Sequence, residues 1–510
     1  MLFIAAILLS IWFWRRNMKD AGMWMIATYA GLGLLFWNDY ASASTMNDAV
    51  PSIVRDFILI GMVGFVQSLA VNKRMPIWLA IVIMLGLFAA AHFLKFDTQM
   101  MGNEAAGVDA IATEAGEIAP VTNLFEQEEF LVEVKEGAEG QSFRADAFQR
   151  GWKVSTAFTP ADEASTYLDN YYVLDVTNIA SAEKMLSGMA SVAYFEPNEV
   201  INVEPLISEE IGSQKRNPSL SINDPETEQQ WAMEVLNMEA YYSLLARQSP
   251  KKQAKIAILD TGVDGNHEDI RANYFSVNKK YDNDPMGHGT HCAGIAAGVT
   301  NNGIGIGSLA GTGKQPFVQV TSIKVLGSGG MGTQKSIIAG IIEAVDEGAD
   351  VISLSLGGPS NASRQKAYSQ AVKYAHDHNA IVIAAAGNSN RDSKDYAPAN
   401  AKGMITVAAL DQFLLRAPFS NKVNNVARGI AAPGVGIYST TPNNNYKSFS
   451  GTSMACPFVA GLLGVMKSVN PELTADQAYK ILKSTGIDGK ETRLTGRIVQ
   501  PAAALEAALK

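Results

Sequence analysis

Three segments of the chain carry side chains that could activate a nucleophile: "DTGVDGNHEDI" from Asp260, "GHGTHCAGIAAG" from Gly287 and "SGTSMACPFVAG" from Ser450. A serine hydroxyl is a weak nucleophile until a neighbouring imidazole takes its proton. The imidazole in turn needs a buried carboxylate to fix its tautomer and to stabilise its charged form. Asp260, His288 and Ser453 supply those three groups, and the chemistry they point to is acyl transfer through an activated serine. Each has an ordinary alternative when taken singly: Asp260 a turn residue, His288 a helix cap, Ser453 an N-cap. The set together favours the catalytic reading. Asn388, after "IAAAG", is either a tight-turn residue behind Gly387 or a side-chain amide aimed at developing negative charge.

These residues need a scaffold that brings distant segments together. "KIAILD", "VQVTSIKVL", "DVISLSL", "AIVIAAAGN" and "MITVAAL" are apolar, β-branched runs separated by helix-length segments. Such runs suit a parallel sheet covered on both faces, so the expected fold class is α/β with a doubly wound, mainly parallel sheet. Ligand sites in that architecture lie at the carboxyl ends of strands, and Asp260 and Asn388 each close one. His288 and Ser453 each begin a segment of small residues, which lets two helices approach closely at their N-terminal ends.

The order Asp, His, Ser and the wording of all three motifs resemble the subtilisin-like serine proteases, over about Asn223 to the C-terminus. The resemblance implies an endopeptidase with Asp260, His288 and Ser453 as its triad and Asn388 as the donor to the oxyanion. It implies that "SLGG", with Ser355, Leu356 and Gly357, is the edge on which an extended polypeptide substrate pairs; a strand ending in a glycine turn is the plainer alternative. "VTNNGIGIGS" resembles a loop that wraps a structural calcium ion, with Asp269, Asn302 and Gln230 at matching positions; a metal-free glycine loop is the alternative. A zinc reading of His288 and His291 lacks both an "HExxH" spacing and a third ligand. Phe458 stands where many family members have histidine, a departure that lies off the triad.

The 510 residues suffice for several units. Residues 1–96 hold four apolar stretches, Met1 to Trp14, Ala21 to Trp37, Ile53 to Val71 and Ile77 to Phe96, each near the length of a spanning helix and without a polar face, so about four transmembrane helices and a lipid membrane partner are expected. Residues 97–127 read as an acidic linker, 128–205 as a small α+β domain, 206–222 as an exposed, cleavable linker, and 223–510 as the catalytic domain. By resemblance, 128–205 is an inhibitory propeptide, an intramolecular partner of the protease; an unrelated spacer is the alternative. The loops "RRNMKD" and "NKRM" carry the basic residues near the spans, which places them on the cytoplasmic side and the protease domain on the periplasmic or extracellular side of a multi-pass inner-membrane protein. A net charge of -9 and a pI near 5.3 exclude a phosphate-tracking basic surface, so no nucleic-acid partner is expected. Two cysteines, Cys292 and Cys456, make no disulfide framework. A membrane receptor or scaffold whose subtilisin-like domain only binds peptides is the principal rival, although such a module has no need of all four catalytic groups. A small transporter fares worse: charges buried in the spans would mark its path, and only Arg55 and Asp56, near the end of one span, qualify.

Overall fold

The computed structural model describes residues 129–510 apart from 163–166, 177, 204–219, 312–315 and 362. The four apolar stretches, the acidic linker and nearly all of the cleavable linker lie outside the described residues. Among the described residues one helix, Thr452–Val469, is long and apolar enough to cross a membrane, and all of it is buried within the protein.

The first described unit is an α+β element. Strands β1 (Glu129–Val134), β2 (Lys153–Thr156), β3 (Tyr171–Asp175) and β4 (Val192–Pro197) form an antiparallel sheet in the order β2-β3-β1-β4. The helices Phe143–Gln149 and Ile179–Leu186 cover one face, where Phe130, Val132 and Leu174 pack with Phe143, Ala182 and Leu186. Successive strand residues face opposite ways, so Leu131, Tyr171 and Val173 emerge on the other face, inside a core shared with the larger domain that follows. The strand β5 (Val200–Asn202) leaves this sheet and pairs with the larger domain itself.

In the larger domain that follows, β6 (Ala254–Asp260), β7 (Val318–Lys324), β9 (Val351–Leu354), β11 (Ile381–Ala385), β13 (Ile405–Leu410) and β14 (Gly429–Pro433) make one parallel sheet in the order β14-β13-β11-β9-β6-β7. Smaller pairings join β5 to β8 (Met331–Thr333), β10 (Gly358–Pro359) to β12 (Tyr396–Ala397), and β15 (Ile437–Thr441) to β16 (Asn445–Phe449). Along β6 the two faces separate cleanly: Ile256 and Ile258 pack toward the helix Thr452–Val469, Ala257 and Leu259 toward the helices Gln334–Asp346 and Lys366–Asp377. Burial on both faces is what the continuous apolar runs foretold. Each fully buried Val459, Leu462 or Leu463 on the serine-bearing helix contributes about 1.5–3 kcal/mol of hydrophobic stabilisation. That anchoring holds its first turn still.

Candidate active site

Asp260 ends β6 and is fully buried. Its Oδ1 accepts from Thr261 N at 2.7 Å and pairs with His288 Nδ1 at 2.7 Å. His288 opens the helix His288–Ala297, entered through Gly287 at φ 84°, in the left-handed region that suits glycine. A Cβ at Gly289 would stand 2.0 Å from Gly262 O, so only glycine lets this helix start dock on the end of β6. Ser453 is the second residue of its helix, which lies so close to the histidine helix that a Cβ at Gly461 would stand 2.5 Å from Ala296 O. The close approach expected from the small residues is therefore present.

With Nδ1–H donating to Asp260, the other ring nitrogen carries the lone pair that a base needs. Nε2 of His288 has no protein hydrogen-bond partner, and the Ser453 hydroxyl donates to Ser355 O at 3.1 Å. Cys292, one turn along the histidine helix, donates from Sγ to Ser453 O at 3.5 Å, which ties the two helix starts together. Burial pushes the His288 imidazole toward its neutral form, yet the charge of Asp260, its hydrogen bond and the charge of Asp284 outweigh burial, and the net shift is upward from 6.5. Asn388 Oδ1 accepts from Thr452 N and Thr452 Oγ1, both at 2.8 Å. Its Nδ2 donors are thereby turned toward Gly451, standing 3.3 Å from where a Cβ there would be.

The edge expected to receive substrate is filled by the chain's own β5. Val200 faces Thr333, Ile201 faces Gly332 and Asn202 faces Met331, while on the other side Asn202 and Gly357 exchange backbone hydrogen bonds of 3.4 and 3.2 Å. Val203 N donates to Gly330 O at 2.8 Å. Leu356 is buried in the same cluster as Ile201, and Ser355 O is the acceptor of the Ser453 hydroxyl. The three expected substrate-edge residues thus lie along one strip leading to Ser453. The small domain also grips two helix starts: Glu196 Oε1 accepts from Ala367 N at 3.2 Å and from Gln334 Nε2 at 2.8 Å, Asn198 Oδ1 accepts from Lys335 N at 2.9 Å, and Glu133 pairs with Lys366. Negative side chains suit the positive end of a helix.

The expected metal ligands divide. Asn302 Nδ2 donates to Asp269 Oδ1 at 2.8 Å, and Asp269 Oδ2 accepts from Ile306 N at 2.9 Å, so these two residues meet in the loop. Gln230 does not join them, because both ends of its amide are engaged by Gly307, Nε2 to the carbonyl and Oε1 from the N–H, each at 2.9 Å. The residue that joins instead is Asp224, whose carboxylate accepts from Asn301, Asn302 and Gly303 N at 2.6, 2.9 and 3.2 Å. Asp224 sits at the start of the domain, far in sequence from the loop it reaches, and its acidic side chain is the one signal in the sequence that marks it. Burial pushes Asp269 up to about 7, with the charges of Asp224 and Glu268 adding to it. Two neighbouring carboxylates that resist ionising together, beside an amide oxygen, form an oxygen-rich setting that fits a hard cation such as calcium. His291 is no metal ligand here: it stacks on Phe449, its Nε2 meets Lys447 O at 3.0 Å, and burial pushes it down to about 3. Cys292 and Cys456 are free and fully buried, with burial holding both thiols protonated.

An Asp-His pair at the end of a parallel strand, a serine on the facing helix start and an extended-chain edge beside it define a serine protease site. Residues 251–499 match the Subtilase family. The chain is 46% identical over 220 residues to thermitase from Thermoactinomyces vulgaris, covering 42% of this chain and 75% of thermitase, and 41% identical over 237 residues to subtilisin DY from Bacillus licheniformis, covering 45% and 82%. A solved structure of proteases from Pseudoalteromonas arctica aligns with a TM-score of 0.50 at 31% identity, covering 56% of this chain and 99% of that one. The chain belongs to the subtilase family. It is a subtilisin-like serine endopeptidase.

Proposed function

We propose that this protein is a membrane-anchored endopeptidase made as a self-processing zymogen, with Asp260, His288 and Ser453 as its triad. The observation that carries the reading is the placement of Val200–Val203, an extended segment of the chain paired into the cleft beside Ser453 as a substrate would be. In the reaction the Ser453 hydroxyl turns from Ser355 O to His288, Oγ attacks the scissile carbonyl carbon, and His288 Nε2 takes the proton. The carbonyl electrons move onto oxygen, where Asn388 Nδ2 and the start of the serine helix stabilise them. When the tetrahedral species collapses the C–N bond breaks and His288 gives its proton to the leaving amine. Water then repeats the sequence on the acyl-serine. Asp260 holds the imidazole in the tautomer that leaves Nε2 free.

Residues 128–205 act as the inhibitor in this scheme, supported by β5 in the cleft and by the Glu196 and Asn198 contacts to the helix starts. Cleavage in 206–222 frees the enzyme. The decisive experiment is hydrolysis of an unstructured protein such as casein by the wild type and by Ser453→Ala; equal rates would remove the serine from the mechanism.

Calcium is part of the proposal, held by Asp269, Asn302 and Asp224 with backbone carbonyls of the 300–306 loop; it supplies fixed positive charge that stiffens the loop. Chelation is expected to lower the thermal midpoint, because a ligand selective for the folded state stabilises it by mass action. The pH dependence follows from Asp269. A carboxyl raised from 3.8 to about 7 contributes stability that is present below 3.8 and lost as pH rises through 7. Calcium binds the ionised form and removes that loss. The gap between calcium-loaded and chelated midpoints should therefore widen from pH 4 to pH 8, and midpoints equal across that range would remove the ion from the scheme.

The protease domain lies outside the cytoplasm in this reading, supported by Arg15, Arg16 and Lys19 in one loop and Lys73 and Arg74 in another, against an intervening loop with Asp39 and Asp48 and no basic residue. Cytoplasmic proteins are then out of reach of a broad protease. Alkaline phosphatase, which works only after export, should be active when fused after Asp97 and inactive in the "NKRM" loop. The opposite pattern would invert the topology.

A further inference from the structure

Behind the Asp260–His288 pair lies a second buried carboxylate, Asp284, 6% exposed and saturated with hydrogen bonds. Its Oδ1 accepts from Thr261 Oγ1 at 2.8 Å, Met286 N at 3.1 Å and Gly287 N at 2.9 Å; its Oδ2 accepts from Thr290 N and Thr290 Oγ1, both at 2.8 Å. Those donors come from two places. Thr261 is the residue after Asp260, and its N–H holds Asp260 Oδ1 at 2.7 Å. Met286, Gly287 and Thr290 bracket His288 from both sides. The Thr261 hydroxyl has one proton, and its oxygen lies 2.8 Å from Asp284 and 3.2 Å from Asp260, so the proton goes to Asp284. Thr261 Oγ1 also accepts from Gly289 N at 3.2 Å, closing a ring of hydrogen bonds from the β6 end to the histidine helix.

We propose that Asp284 is a positioning residue for the reaction: through Thr261 and the backbone around His288 it clamps the strand end that carries the triad carboxylate to the helix start that carries the base, and it adds a second negative charge behind the imidazole. A helix cap alone needs only the Thr290 contacts. The bonds to Thr261 and to Gly287 aim the other carboxylate oxygen at the two elements whose separation sets the Asp260–His288 distance. Its charge reaches His288, whose imidazolium it favours, and Lys324 at the end of β7, whose ammonium it favours. The other titratable groups around the imidazole are Asp260 on β6 and His291 and Cys292 on its own helix, with Cys456 facing Cys292 from the serine helix. Among the groups that bear on His288, only Asp260 and Asp284 are carboxylates.

The inference rests on the triad assignment, and its test separates the two. Asp284→Asn keeps size and an acceptor but removes the charge. With less stabilisation of the imidazolium, His288 stays neutral to lower pH, so the acid limb of kcat/KM should move to lower pH while kcat at the plateau falls about tenfold to a hundredfold, the usual cost of a misplaced catalytic group. Thr261→Val cuts the clamp without changing charge and should lower kcat with KM and the acid limb little changed. An unmoved acid limb in folded Asp284→Asn, or wild-type kcat in Thr261→Val, overturns the proposal. Should Asp284→Asn fail to accumulate as folded protein, the Thr261→Val result decides alone. Retained activity in Ser453→Ala would instead overturn the triad reading on which all of this stands.

Discussion

Ser453→Ala is expected to leave the chain uncut between Pro205 and Asn223 and to lower turnover by about a millionfold, a magnitude known from subtilisin itself and carried over here. The size of the effect follows from what is removed. Without Oγ no acyl-serine forms, and the site is left with binding and with donors aimed at an oxyanion that no longer has a covalent precursor. Processing shares the same nucleophile if the molecule cuts itself. The variant purified from a protease-free host should then be one chain, with Val200–Val203 still paired between β8 and Gly357. N-terminal sequencing and intact mass check this directly. Normal processing of the variant would sink self-cleavage while leaving the peptidase mechanism untouched, and processing by added wild-type enzyme would show that the bond is open to attack from another molecule.

The parts of this architecture that were legible in the sequence are those where a local pattern and a burial pattern coincide. The five apolar runs became β6, β7, β9, β11 and β13 because a strand covered on both faces has no polar positions to blur the signal. The sixth strand of that sheet, "GIAAP" at β14, was missed: four of its five residues are Gly, Ala or Pro, which carry little strand preference. The hairpin of β15 and β16 was missed for a different reason. Its strands "IYSTT" and "NYKSF" are polar and lack an apolar alternation, although Asn443 and Asn444, in the three-residue connection between them, both take the left-handed conformation that asparagine tolerates in tight turns. In the small domain, the helix Phe143–Gln149 went unnoticed because only Phe143 and Ala147 mark its buried side.

The site divides along the same line. Asp260, His288 and Ser453 sit in segments whose glycines and small residues are dictated by close approach, so the motif carries the geometry. Gln230 stands apart from Asp269 and Asn302 because position along the chain does not reveal which neighbours a side chain reaches, and both ends of its amide meet the Gly307 backbone. Asp284 was invisible for the same reason: nothing in "YDNDPMGHGT" distinguishes a carboxylate that faces water from one that turns inward to five donors.

Asn388→Ala is expected to lower kcat about a hundredfold to a thousandfold while leaving KM nearly unchanged, again a magnitude taken from subtilisin. The amide acts late in the reaction. In the resting site Asn388 Oδ1 is held by Thr452 N and Oγ1, so the orientation of the amide is set before substrate arrives and costs no reorganisation during the reaction. Its Nδ2 faces the start of the serine helix, where negative charge develops only as the carbonyl becomes tetrahedral. A donor that strengthens its bond in the transition state and not in the ground state changes kcat and leaves substrate binding alone. The variant also removes the acceptor for Thr452 N, which opens the first turn of the helix, so the stability of the fold must be read beside the kinetics. Asn388→Asp separates the two effects: it keeps the acceptor for Thr452 but replaces the donor with a negative oxygen facing the developing charge. It should retain the thermal midpoint better than Asn388→Ala and be at least as slow. An Asn388→Asp enzyme with near wild-type kcat, or an Asn388→Ala enzyme whose loss lies wholly in KM, would remove Asn388 from the transition state.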